Sequence, residues 1–299
     1  MSHRSIHDYF DEDFLARLQG LHLIAKRVGA SPAASRRGPR TLGDGLEFAD
    51  HRAYAPGDDI RFLDWPYYAR MERLLLRLFH EHSEGAVGIL LDASGSMSLG
   101  QVRKFDYARR TAAAMAYVAM GGLDRVEIVP FGQAMGKGFK TGRNRNQILQ
   151  VLDFLESLEA AGPTELGAAI EQYLHGSSDT GMVILLTDAI DVQEDLAAAL
   201  ALLRRQKDEV VFLHVVDRCD ARPEALGPTQ LDAIEAAGRI SLNLTDELLA
   251  GYRQRWRTFA RGLERTCMGR GAVYVQAPTS APFERLVLKT VQRVGMLQA

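Results

Sequence analysis

The sequence has few cysteines, no long hydrophobic run and no large excess of charge. Two cysteines among 299 residues, Cys219 and Cys267, stand far apart without a CxxC pair, which argues against a disulfide framework or a cysteine zinc site and favours a reducing compartment. No apolar run approaches the ~20 residues that span a bilayer, and Met1 to Phe10 lack the hydrophobic centre of a signal peptide. We therefore expect a cytoplasmic protein without an integral membrane segment.

Nucleic-acid binding and nucleotide binding are not favoured either. The formal net charge is −2, whereas nucleic-acid-binding domains usually carry a basic excess. Two local basic clusters, around 36–40 and 137–145, are interpreted as solvated loops. The second cluster lacks the GxxxxGK[ST] pattern of a phosphate-binding loop, and His80-Glu81-His82 lacks the HExxH spacing of a zinc protease.

The sequence does contain a regular alternation of short apolar runs and helical patterns. Buried strands are predicted at 86–91, 126–131, 182–186, 210–216 and 272–275. Most of them are separated by segments with the 3.6-residue periodicity of amphipathic helices. This alternation is typical of an α/β fold with a doubly wound, mostly parallel sheet flanked by helices, as in Rossmann-like proteins.

The pattern divides the chain into three parts. Residues 1–45 hold an amphipathic helix over 12–27, expected to dock on the core, and a loop rich in Ser, Pro, Gly and Arg. Residues 46–83 form a β-rich segment that we expect to pack on the main domain. Residues 84–299 form the α/β domain, with an inserted hairpin near 217–245, where proline and glycine break the rhythm.

Oxygen-bearing side chains follow the predicted strands. Asp92, Ser94 and Ser96 come directly after one buried strand, Asp188 follows another, and Thr164 begins a helix. Ligand sites of open α/β sheets form outside the carboxyl ends of the strands, and an all-oxygen set suits Mg²⁺ or Mn²⁺ rather than zinc. We predict a divalent metal site with a coordination position open to a Glu or Asp of a partner protein. The alternative is that these side chains only cap helices and turns.

These five residues resemble the metal-ion-dependent adhesion site of von Willebrand factor type A domains. The segment before them resembles the signature of the domain of unknown function 58 family, through Arg52, Tyr54, Pro56, Gly57, Asp58, Asp59, Arg61, Asp64, Trp65 and Arg70. We interpret the signature residues as structural, because Pro-Gly makes a turn and Asp and Arg at turns usually cap and pair.

The resemblance implies a von Willebrand factor type A-like domain that binds protein through its metal. It also implies a partner, since members of the family are often paired with MoxR-type AAA+ ATPases. Many relatives carry transmembrane helices before the signature. This chain shows none there, so membrane association is not implied.

Two enzymatic hypotheses compete with a binding module. A phosphatase of the haloacid-dehalogenase type would use Asp92 as nucleophile, but it needs a general acid two residues later, where this chain has Ser94. Loss of such a proton donor lowers the rate roughly 10²- to 10⁴-fold. A serine hydrolase would need a GxSxG elbow, which the loop does not match. The isolated histidines His175 and His214 are expected to serve packing only.

Overall fold

The structure is a computed structural model that describes residues 10–29, 40–41, 47–80, 86–122, 124–142, 145–176, 180–190, 192–207, 209–234 and 238–296. The helices are α1 (Glu12–Gly29), α2 (Trp65–Met71), α3 (Lys104–Gly121), α4 (Ile148–Ser157), α5 (Leu166–Gly176), α6 (Gln193–Gln206), α7 (Arg218–Ala221), α8 (Asp246–Gly269) and α9 (Phe283–Met296). The strands are β1 (Arg40–Thr41), β2 (Glu47–Ala53), β3 (Leu75–His80), β4 (Ala86–Asp92), β5 (Arg125–Phe131), β6 (Phe139–Lys140), β7 (Met182–Thr187), β8 (Glu209–Val216), β9 (Gly227–Asp232), β10 (Arg239–Leu244) and β11 (Val273–Pro278).

A six-stranded sheet forms the centre of the fold, in the order β11-β8-β7-β4-β5-β6. Every pairing is parallel except that of β6 with β5, so the predicted mostly parallel α/β sheet is confirmed. From β4 the chain passes first to β5 on one side and later to β7 on the other. The order therefore reverses at β4, and a crevice opens beyond its carboxyl end.

The two faces of the sheet are covered by helices, which explains why β4 is buried along its whole length. Alternate residues of β4 serve the two faces. Ile89 and Leu91 join a core that includes apolar side chains of α1, α3, α4 and α9, whereas Leu90 joins the core of α5, α6 and α8 on the other side.

The N-terminal helix α1 is part of the first of these cores. Phe14, Leu18 and Leu21 are buried there, and the ring centroid of Phe14 lies 5.0 Å from that of Phe283 in α9. Burial of these side chains stabilises the fold by about 1.5–3 kcal/mol each. None of the described helices has the length and apolar character needed to cross a bilayer.

A small antiparallel sheet, in the order β1-β3-β2, precedes the main sheet. The predicted part boundaries, at 45/46 and 83/84, fall among residues outside the described ranges, as do Arg36 and Arg37. The division into three parts therefore stays a prediction. Further on, β9 and β10 form an antiparallel hairpin between α7 and α8, apart from both sheets.

Charged residues of the signature contact one another. Arg52 Nη2 donates to Asp58 Oδ1 at 2.7 Å, and Arg61 Nη2 donates to Asp59 Oδ2 at 2.6 Å. Asp64 accepts from the Tyr67 backbone N–H at 2.9 Å and thereby caps α2. Trp65 is 55% exposed. These pairs fix turns inside the segment, and the exposed indole leaves part of its surface open to solvent.

Candidate metal centre

The loop after β4 buries its three oxygen-bearing side chains. Asp92 and Ser94 are inaccessible to solvent and Ser96 is 5% exposed. The Ser94 backbone N–H donates to Asp92 Oδ1 at 2.9 Å, and the two serine hydroxyl oxygens lie 3.1 Å apart. Neighbouring ligands of an octahedral Mg²⁺ ion, each about 2.1 Å from the metal, are separated by about 3.0 Å. The spacing of the two hydroxyls therefore suits such an ion.

Backbone hydrogen bonds hold the loop that carries Thr164 against the Asp92 loop. The Ala161 N–H donates to the Ala93 carbonyl at 2.9 Å, and the Gly95 N–H donates to the Gly162 carbonyl at 2.7 Å. The hydroxyl oxygen of Thr164 is buried and has no hydrogen-bond partner among the residues that the structure describes. Buried polar atoms are normally satisfied, and a helix-capping threonine would accept from a backbone N–H. The orphaned Thr164 hydroxyl therefore fits a ligand position and does not fit a cap.

Asp188 reaches the same edge of the sheet, because β7 is the direct neighbour of β4. The residue is only 2% exposed, and the hydroxyl of the preceding Thr187 donates to Asp92 Oδ2 at 2.5 Å. Asp188 Oδ1 accepts from the Ile190 N–H at 3.2 Å. The two carboxylates that were expected to share the site thus follow adjacent strands.

A buried lysine enters this site, which the sequence analysis did not foresee. Lys104, the first residue of α3, is fully buried and donates from Nζ to Asp188 Oδ2 at 2.7 Å. The same ammonium lies 3.1 Å from Asp220 Oδ2 in α7. The available signal was the spacing of Lys104 with Ala108 and Ala112, which places the lysine on the buried stripe of its helix.

The charge of the site is unevenly compensated. Burial, and next the negative charge of Asp188, raise the pKa of Asp92 to about 7. Burial lowers the pKa of Lys104, but the carboxylates of Asp188 and Asp220 outweigh it and raise that pKa above its usual value. Asp188 thus has a cation beside it, whereas the surroundings of Asp92 disfavour its ionised form. A divalent cation next to Asp92 would remove that opposition.

His214 lies in β8 behind Asp188 as a neutral residue. Burial lowers its pKa to about 4, so the ring is uncharged at neutral pH. Nε2 donates to the Asp188 carbonyl at 3.1 Å, which leaves Nδ1 to accept from the Tyr274 hydroxyl at 2.8 Å. Both ring nitrogens are occupied by hydrogen bonds within the core.

Asp217 links three chain segments beside the site through hydrogen bonds to its carboxylate. It accepts from the Thr279 hydroxyl at 2.6 Å, the Cys219 N–H at 3.0 Å and the Gln101 N–H at 3.2 Å. Burial opposes its ionisation, but these hydrogen bonds dominate and lower its pKa to about 2. One carboxylate thereby joins the loop after β4, the start of α7 and the segment after β11.

Asp217→Asn should lower the free energy of unfolding at pH 7 by roughly 2 kcal/mol. The reason is that the pKa of the carboxyl falls from 3.8 to about 2 on folding. The stabilisation is present above about pH 4 and is lost as the pH falls through about 2. Urea titrations between pH 2 and 7 check this result. A difference between variant and wild type that stays constant over that range would contradict it.

The five predicted ligands thus lie on three loops at one edge of the sheet, whereas the contacts found for the signature residues lie within their own segment. Within the described residues, no group of three or more His, Cys, Asp or Glu side chains could hold a metal ion. A metal at this edge would depend on two carboxylates and three hydroxyls. That donor set suits a hard ion such as Mg²⁺ and is unlike a zinc site.

Comparison with known proteins finds similar sequences and solved structures. A chain of the conserved hypothetical protein BatB from Bacteroides thetaiotaomicron superposes with a TM-score of 0.42 at 16% identity, over 71% of this chain and 99% of that chain. Uncharacterized proteins of Mycobacterium bovis and Mycobacterium tuberculosis are each 25% identical over 235 residues, which are 77% of this chain and 74% of theirs. The sequence profile of the protein family of unknown function DUF58 matches residues 50–261. The chain therefore belongs to the DUF58 family.

Proposed function

We propose that this chain is a non-enzymatic, divalent-metal-dependent protein-binding module with a von Willebrand factor type A-like fold. Asp92, Ser94, Ser96, Thr164 and Asp188 would hold Mg²⁺ or Mn²⁺ as a metal-ion-dependent adhesion site. The metal would supply a positive charge with a position for an outside carboxylate. The partner would be a MoxR-type AAA+ ATPase, or a client protein that offers a Glu or Asp, in protein assembly or maturation.

The observation that carries this proposal is the buried hydroxyl of Thr164, which has no partner in the described part of the chain and lies on a loop hydrogen-bonded to the Asp92 loop. Leaving a buried polar group unsatisfied costs about 1–3 kcal/mol, which an additional ligand would remove. A bound metal ion would satisfy Thr164 and would also offset the repulsion between Asp92 and Asp188.

The rim of the site also suits a protein partner. Leu99 and Val102, just after the loop that carries the serines, are 46% and 47% exposed. Apolar side chains around a charged centre provide the contact area that a carboxylate alone cannot. The pair adds a short apolar surface beside the predicted metal position.

The phosphatase hypothesis is less suited to the same geometry. An attacking carboxylate must reach phosphorus, but Asp92 is fully buried and both of its oxygens accept hydrogen bonds, from Ser94 and Thr187. Position 94 holds a serine, which is a poor proton donor for a leaving group. We therefore place Asp92 as a metal ligand and assign it no catalytic role.

Thr164→Val tests the metal and the partner together. Because the hydroxyl makes no hydrogen bond to any described residue, the metal-free variant should be at least as stable as the metal-free wild type, but it should bind Mg²⁺ about tenfold more weakly. Purified MoxR-type ATPase from the same genome should bind the wild type in Mg²⁺ and should not bind it in EDTA. At a Mg²⁺ concentration that fills the wild-type site but not the variant site, the ATPase should not bind the variant. Calorimetry and biolayer interferometry measure the two effects.

Thr111→Val is the matched control. Thr111 is a buried threonine of α3 whose hydroxyl donates to the Tyr107 carbonyl at 2.9 Å. Its replacement should leave the Mg²⁺ affinity unchanged. Binding of the ATPase to wild type with equal strength in Mg²⁺ and EDTA would contradict the proposed function.

A further inference from the structure

The buried ammonium of Lys104 lies beside the proposed metal ligands but is not one of them. It bridges two carboxylates, 2.7 Å from Asp188 Oδ2 and 3.1 Å from Asp220 Oδ2. The lysine side chain is 0% exposed, that of Asp188 is 3% exposed and that of Asp220 is 14% exposed. Such a buried cation is retained only where opposite charges compensate its desolvation.

We propose that Lys104 acts as an internal cation that competes with the metal for the charge of Asp188, and that Asp220 moderates this competition by holding the ammonium from the other side. The inference rests on the proposed metal site, since it concerns how tightly that site binds. It makes Lys104 and Asp220 positioning residues that set metal affinity without being ligands.

The competition follows from the electrostatics of the cluster. The Lys104 ammonium and a metal ion are both cations drawn to Asp188, and like charges in a poorly solvated site repel each other. Removing the ammonium makes the site more negative by one charge, so the site should attract Mg²⁺ more strongly. Removing the charge of Asp220 does the reverse, because the ammonium then relies on Asp188 alone.

The place of Asp220 in the fold explains how it can hold Lys104. Its carboxylate accepts from the Asp217 N–H at 3.2 Å, and its backbone carbonyl accepts from the Tyr252 hydroxyl of α8 at 2.9 Å. Asp217 is in turn fastened to the Thr279 hydroxyl at 2.6 Å. The second acceptor for the ammonium is therefore anchored to α8 and to the segment after β11.

Calorimetric titration of the full chain with MgCl₂ at constant ionic strength tests the inference through two variants of opposite sign. Lys104→Met should lower the thermal stability of the metal-free protein, yet bind Mg²⁺ about tenfold more tightly than wild type. Asp220→Asn keeps a side-chain oxygen for the Asp217 N–H and should bind Mg²⁺ several-fold more weakly. A purely structural role would lower stability in both variants without opposite changes in affinity.

Matched controls remove the same charges elsewhere. Lys207 is also a buried lysine, 3% exposed, but it lies before β8 at the opposite edge of the sheet, roughly 25 Å from the site for strands of this length. Asp232 pairs with Arg239 in the exposed hairpin. Lys207→Met and Asp232→Asn should leave the Mg²⁺ affinity unchanged.

Failure of the competition and failure of the proposed metal site would give different results. If the wild type binds Mg²⁺ and Lys104→Met binds it equally or more weakly, the competition is overturned and the metal site is not. If Lys104→Met does not fold, Asp220→Asn decides, and an affinity equal to wild type overturns the inference. Wild type that binds no Mg²⁺ would overturn both the proposed metal site and the inference.

Discussion

Asp92→Asn should lower the Mg²⁺ affinity by at least about a hundredfold. The metal-free variant should be as stable as the metal-free wild type or more stable. The amide has the shape of the carboxylate, so its oxygen can still accept from the Ser94 N–H. The Thr187 hydroxyl, which donates to Asp92 in the wild type, can rotate and accept from the new amide instead. Only the negative charge is lost.

The gain in metal-free stability has an electrostatic cause. Burial and the charge of Asp188 oppose ionisation of Asp92, whose pKa rises to about 7. Because the pKa in the unfolded chain is 3.8, stability is lost progressively as the pH rises from that value to about 7, and the full destabilisation is present above pH 7. A neutral amide removes this destabilisation. Thermal melts in EDTA and in Mg²⁺, together with calorimetric titration, measure both parts of the prediction.

Asp217→Asn provides the matched control for this result. It is the same substitution at another buried aspartate, 2% exposed, which we do not place among the ligands. We expect the reverse behaviour, a loss of stability with retained Mg²⁺ binding. An Asp92→Asn protein whose melting temperature still rises on addition of Mg²⁺ as much as that of wild type would refute the ligand role of Asp92.

Gly88→Ala should lower the free energy of unfolding of the domain by about 3 kcal/mol, because the cost of overpacking adds to the cost of a lost buried hydrogen bond. A Cβ atom at position 88 of β4 would lie 1.9 Å from the Tyr173 hydroxyl oxygen. That hydroxyl is buried and pairs with the Thr180 hydroxyl at 2.8 Å. The ring would have to move and break this hydrogen bond. Chemical denaturation measures the effect.

Two further variants make the test specific. Gly20→Ala places a methyl group on an exposed face of α1, with nothing within 4 Å of the new Cβ atom, and should stabilise by up to about 1 kcal/mol through helix propensity. In a Tyr173→Phe background, Gly88→Ala should be less damaging, because the nearest clashing atom is gone. Equal losses in both backgrounds would show that the clash is not the cause.

Much of the fold could be predicted because strands buried on both faces leave a clear pattern. Runs such as Met182 to Leu186 and Val210 to Leu213 are continuously apolar, as is typical of parallel strands covered by helices. The order of the strands could not be obtained from these runs, because every parallel strand of such a sheet has the same pattern. The switch of order at β4, which creates the crevice, required the structure.

The candidate site was only partly predictable for the same kind of reason. Asp92, Ser94 and Ser96 are close in sequence, so their proximity follows from local geometry alone. Lys104 contacts Asp188 and Asp220, which are 84 and 116 residues away, and a single sequence carries no signal for such pairs. The exposed Trp65 also shows that a tryptophan in a charged segment need not be a buried anchor.

Anomalous diffraction from crystals grown with Mn²⁺ tests the metal site most directly. We predict one strong Mn²⁺ peak bounded by the hydroxyl oxygens of Ser94, Ser96 and Thr164, at about 2.2 Å from the oxygens that bind it. Asp92 and Asp188 should border the same peak. Crystals of wild type that bind Mn²⁺ elsewhere, with no peak between these three hydroxyls, would contradict the account.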